Sequence, residues 1–160
     1  MKKQGGFTLI ELIVVIVILA ILGVTAAPRF LNLQSDARKA SLQGLKGAIQ
    51  GAAGIVYGKA AVLGLETISA GKNVNVDGIT IAYGYPTADI DGIVSALVGG
   101  NDGDWTISEA VATSAGAGTL GLVKFYFANN AQMTGDCYVQ YEEAADKNTA
   151  PEVKIENDDC

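Results

Sequence analysis

From Phe7 to Ala27 the chain is predominantly apolar, and its one ionisable side chain is Glu11. At about 1.5 Å per residue this run reaches roughly 30 Å as a helix, the thickness of a bilayer core. A carboxylate there costs about 2.5–3.5 kcal/mol on insertion scales, so it needs a partner or a use. The partner the spacing offers is an amine at Phe7, one helical turn back, and that amine exists only if the chain is cut after Gly6. Other reactive groups are sparse. The sequence has no histidine, and its serines sit in no nucleophile elbow, so no nucleophile–base pair points to hydrolysis and no enzyme is expected. Two cysteines without histidine make a poor zinc site, and no cofactor is expected. Asp102-Gly103-Asp104 with Glu109 offers oxygens to calcium but lacks the full loop pattern, which favours a solvated acidic turn. Trp105, Tyr83, Tyr85 and Tyr138 have faces that could stack on a sugar, although single aromatics on strands more often belong to a core.

The hexapeptide Gly6-Phe7-Thr8-Leu9-Ile10-Glu11 follows a short basic leader and opens the apolar run. In that context it resembles the type IV pilin signature, position by position. The resemblance implies a membrane peptidase that cuts between Gly6 and Phe7 and methylates the new amine, and an assembly role for Glu11. A narrower resemblance, to mannose-sensitive haemagglutinating pilins of that family, is carried by PRFLNLQSDARKASLQGLKGAIQGAAGIVYGKAA and fades after residue 61. It implies adhesion to mannosylated surfaces, without showing that this subunit holds the sugar.

Two plainer readings compete at the amino terminus. An ordinary secretory signal has a shorter apolar region, and its small residues follow that region, whereas Gly5-Gly6 precede it here. A simple anchor would leave Glu11 snorkelling at the interface with no further use. For the cysteines, an even count in an exported chain suggests a Cys137–Cys160 disulfide, in line with the disulfide-bounded tail common in the family. Two buried thiols are the alternative.

Composition bounds the rest. The chain has 160 residues, 49% of them hydrophobic, enough for one soluble core beside the apolar run. Its net charge is −6; removing Lys2 and Lys3 leaves nine basic against 17 acidic side chains, or −8. An acidic chain is a poor nucleic-acid binder, and none is expected as a partner.

The elements that must carry these groups follow from periodicity. Pro28, with Gly23 upstream, is expected to kink or loosen the helix. Beyond it Phe30, Leu33, Ala37, Ala40, Gly44, Ala48 and Gly51 keep a helical period to about Ala61, which predicts a helix on the order of 80 Å from Phe7. Gly44, Gly47, Gly51, Gly54 and Gly58 form a stripe, expected to let a sheet pack closely within the subunit, with a contact between subunits as the alternative. Val74–Val76 and Ile79–Ile81 flank Asp77-Gly78 as a hairpin. Thr87 is expected to cap a short helix with Ile90, Ile93, Val94 and Leu97 on one face. LGLVKFYFA (120–128) reads as a buried strand, paired with Cys137–Tyr141 across a loop near Asn129-Asn130, and Val153 and Ile155 mark a last strand.

The expected fold is α+β, a long amino-terminal helix against an antiparallel sheet. The expected divisions are a leader (1–6), a membrane and fibre-core helix (7–28), a second helical half (29–61) and a head (62–160). The resemblance implies a helical homopolymer built by inner-membrane assembly machinery. The subunit would be held in the inner membrane first and become an extracellular fibre afterwards. A pseudopilin of a type II secretion system or a minor pilin would share the same leader and helix.

Overall fold

The computed structural model describes residues 6–69, 74–97, 103–108, 120–128 and 135–160, with backbone only at 27–32. It divides into two compact units, Met1–Arg38 and Lys39–Cys160, and one helix, α1 (Leu9–Val62), enters both. The fold class is α+β, as expected.

In the first unit α1 buries almost nothing against its own chain. Leu9, Ile10, Leu12, Ile13 and the Val, Ile and Leu residues as far as Val24 are all exposed. Leu9–Ala26 is long and apolar enough to cross a membrane. Its few polar groups are satisfied along the helix: the Thr25 hydroxyl donates to the Leu22 carbonyl at 2.9 Å, which suits a segment without water. The helix continues through Pro28, whose side chain lies outside the described residues.

The second unit closes a core. Leu42, Ile49, Ala53, Val56 and Ala60 recur at helical spacing and are the buried stripe of α1. Their partners come from two antiparallel sheets. The smaller contains β1 (Asn75–Val76), β2 (Ile79–Ala82) and β3 (Tyr85–Pro86) in sequence order. The larger is a meander of β4 (Trp105–Ile107), β5 (Leu122–Phe127), β6 (Tyr138–Glu142) and β7 (Glu152–Glu156). Leu42, Ile49 and Ala53 pack with Ile93, Val123, Phe125, Val139 and Tyr141, while Val56 and Ala60 pack with Val76 and Ile81.

The hairpin falls at Asp77-Gly78, where both residues have positive φ (53° and 85°) and Val76 pairs with Ile79. That is the backbone twist a two-residue loop requires. β5 and β6 pair from Leu122↔Glu142 to Tyr126↔Tyr138, and β7 adds on the far side of β6. Asn129 and Asn130, where the connecting loop was expected, lie outside the described residues.

Three expectations are corrected. The glycine stripe does not pack against the described residues of the subunit: among them, nothing comes within 4 Å of a Cβ built at Gly44, Gly47, Gly51, Gly54 or Gly58. The physical reason is angular, because the buried stripe from Leu42 to Ala60 lies on the opposite side of the helix. The cap of the short helical turn Ile90–Val94 is Asp89, whose carboxylate accepts the Gly92 N–H at 2.6 Å. Thr87 instead donates both its amide and its hydroxyl to the Thr80 carbonyl, at 3.0 and 3.2 Å, and so extends β3 toward β2. Ile90 is 60% exposed, whereas Ile93, Val94 and Leu97 face the core.

Candidate functional site

The residues that carry the sequence signature sit where the chain enters α1. Gly6, Phe7 and Thr8 precede the helix, and Gly6 and Phe7 are exposed, Phe7 by 92%. The bond between Gly6 and Phe7 therefore lies in non-helical, accessible chain, the state a peptidase needs. Phe7, Thr8, Leu9, Glu11, Leu12 and Val15 surround a shallow, mostly apolar depression of about 560 Å³.

Glu11 is not bare. Its Oε2 accepts the Thr8 backbone N–H at 2.8 Å and the Thr8 hydroxyl at 2.8 Å. In return the Glu11 N–H donates to Thr8 Oγ1 at 3.3 Å. This is a capping box: Thr8 closes the helix start, and Glu11, three residues on, reaches back to satisfy the amide that precedes it. Sequence reasoning singled out Glu11 and missed Thr8. The signal was present, since Thr8-Leu9-Ile10-Glu11 has the Thr-x-x-Glu spacing of such a box. Among the described residues nothing comes within 4 Å of a Cβ built at Gly23, and Lys2 and Lys3 lie outside them.

In the second unit Cys137 and Cys160 are joined in a disulfide. The bond fastens the residue before β6 to the tail beyond β7, beside a backbone bond from Asp159 N–H to the Asp136 carbonyl at 3.3 Å. A buried carboxylate ties the same unit from within. Glu143 accepts the Gly121 N–H at 2.9 Å and the Ala88 N–H at 3.3 Å, joining the start of β5 to the segment after β3. A Cβ at Gly121 would come within 2.7 Å of that carboxylate, so a larger residue there would push the Glu143 carboxylate off its present position. The Tyr141 hydroxyl donates to the Pro86 carbonyl at 2.7 Å, and burial, with the Glu143 charge next, pushes its pKa far above the usual phenol value. It stays a donor at any physiological pH. Neither Glu143 nor Tyr141 had a local sequence signal, because each partner is more than 50 residues away or across a sheet.

The other candidate groups are occupied structurally or not described. Trp105 packs on Phe127 with ring centroids 4.8 Å apart, Tyr85 stacks on Tyr57 at 4.4 Å, and Tyr138 lies 5.2 Å from Tyr126 beneath Lys124. Tyr83 is half-buried in the tight turn before β3, with φ 51°. Asp102 and Glu109 lie outside the described residues, and among the described residues no cluster of metal-ligating side chains occurs.

Against this geometry stands one comparison. Residues 1–27 match the family described as the prokaryotic N-terminal methylation motif. The match spans Gly6, Phe7, Thr8, Glu11 and the apolar run, and it supports a type IV pilin-like prepilin. No curated protein and no solved structure matches the chain.

Proposed function

We propose that this chain is the major structural subunit of a type IV pilus. It would be made as a prepilin, cut between Gly6 and Phe7 and N-methylated at Phe7. The observation that carries the reading is the methylation motif over residues 1–27, which coincides with an exposed, membrane-length helix bearing one carboxylate near its start. Lys2-Lys3 keeps the leader cytoplasmic by the positive-inside rule, and Phe7 to Ala27 holds the subunit in the inner membrane.

During assembly Glu11 pairs with the Phe7 amine of a neighbouring copy, a charge-assisted contact away from water. The apolar helices then cover one another in the fibre core, gaining about 25 cal/mol per Å² of apolar surface removed from water. Gly23 and Pro28 mark the segment where the helix gives way as the fibre forms, since Pro28 has no amide hydrogen for the helical ladder. Residues 62–160 form the outward head, whose tail the disulfide secures.

The finer reading is a pilin of the mannose-sensitive haemagglutinin (MSHA) type of Vibrio-like bacteria, acting in adhesion and biofilm attachment. It rests on the resemblance over residues 28–61, and adhesion that free mannose inhibits would support it. Assembly is tested by Glu11→Val in the full chain. The variant is expected to insert into membranes as the parent does while the yield of sheared fibre collapses. Undiminished fibre from that variant would contradict the pairing. A chain cut at Phe7 on cells that carry no surface fibres of it would favour the pseudopilin reading.

A further inference from the structure

We infer that Thr8 is a positioning residue for assembly, holding the Glu11 carboxylate within its own subunit until the amine of another copy takes it. The inference rests on the assembly reading above, and its geometry is specific. Both bonds from Thr8 fall on Oε2, and among the described residues no hydrogen bond falls on Oε1. The carboxylate is thus fixed at one oxygen and open at the other. A carboxylate in an apolar segment is costly when bare and far less so when it accepts two hydrogen bonds. The box therefore satisfies Glu11 while the subunit waits in the membrane, and it limits the orientations in which an incoming amine must find it.

The position of the cut supports the assignment. The amide that Glu11 accepts belongs to the Phe7–Thr8 peptide bond, and the proposed cleavage breaks the bond before Phe7. Processing creates the amine and leaves every atom of the box in place. A cut one residue later would turn that amide into the amine itself, and Glu11 would then be paired with the amine of its own chain instead of being left for another copy. The same three hydrogen bonds therefore serve the precursor and the mature chain.

The test compares Thr8→Val, Thr8→Ser and Thr8→Gly in the full chain, with Glu11→Val beside them. Membrane content, the amino-terminal residue and the yield of sheared fibre are read for each. Valine keeps the shape without the hydroxyl, serine keeps the hydroxyl, and glycine keeps most of the helix-capping preference without any side chain. Thr8→Val and Thr8→Gly are expected to insert and be cut at Phe7 but to lose fibre roughly fivefold, the scale of one lost cap-type hydrogen bond. Thr8→Ser is expected to restore it.

Parent-like fibre from Thr8→Val would overturn the inference, as would a glycine variant that matches serine, since that pattern reports helix capping alone. Failure of Thr8→Val to be cut would also overturn it, by placing Thr8 at the peptidase. If Glu11→Val itself assembles normally, the assembly reading falls first. If Glu11→Val fails and Thr8→Val does not, only the role of Thr8 falls.

Discussion

The two compact units treat the same helix in opposite ways. Along Leu9–Val24 every large apolar side chain is open, and the one charge is satisfied by its own neighbour three residues back. From Leu42 to Ala60 the helix buries a continuous stripe against two sheets, and its opposite face carries five glycines that no other described element approaches. The second unit supplies its own core. The first supplies only the local polar bonds and leaves its apolar surface to a membrane or to other copies. A helix with so much uncovered apolar surface is stable only where something else removes that surface from water.

The contrast is testable from the second unit outward, with the solubilised full chain throughout. The largest effect is expected from the disulfide. Replacing Cys137 and Cys160 by serine opens a loop with a sequence separation of 23. On chain entropy this costs about 3.5 kcal/mol, read as a lower denaturant midpoint. A midpoint unchanged by that pair of substitutions would mean that β7 and the hydrogen bonds between Asp136 and Asp159 hold the tail without the disulfide. Next comes Glu143→Ala, which leaves the Ala88 and Gly121 amides buried without an acceptor and should cost about 3 kcal/mol. Glu143→Gln keeps one acceptor oxygen and should cost clearly less. Equal losses for the two would show that charge, and not the hydrogen bonds, is what the site requires.

The smallest expected effect has the opposite sign. Gly51→Ala adds a methyl group into open space on an exposed helix face, so stability should rise by up to about 1 kcal/mol. A fall in thermal midpoint would mean that the face is covered even in the solubilised protein, and the contrast between its two sides would have to be redrawn.

Much of this arrangement is written locally. Asp77-Gly78 specifies its hairpin because few residue pairs accept two positive φ angles in succession. The alternation in Cys137–Tyr141 and at Val153 and Ile155 marks β6 and β7, since a half-buried strand must alternate. What escaped has a common physical cause. β4 has only three residues, too few for a period to show, and its pairing with β5 is set by distant neighbours. The direction of the glycine stripe depends on which face the sheets choose, and the bulk of Leu42, Ile49 and Val56 decides that choice. Asp89 and not Thr87 is the cap because the helical turn begins at Ile90, directly after Asp89, whereas Thr87 lies two residues earlier and bonds the Thr80 carbonyl. At the candidate site the order was reversed: Glu11 stood out as a lone charge, while Thr8 looked ordinary until its bonds were seen.

The most direct test of the account is the intact mass, without reductant, of protein sheared from cells that make this chain. The account predicts a chain beginning at methylated Phe7, lighter by the two hydrogens of the Cys137–Cys160 bond. A chain that still begins at Met1, or one recovered only with the membranes, would contradict it and leave the amino-terminal helix as a simple anchor.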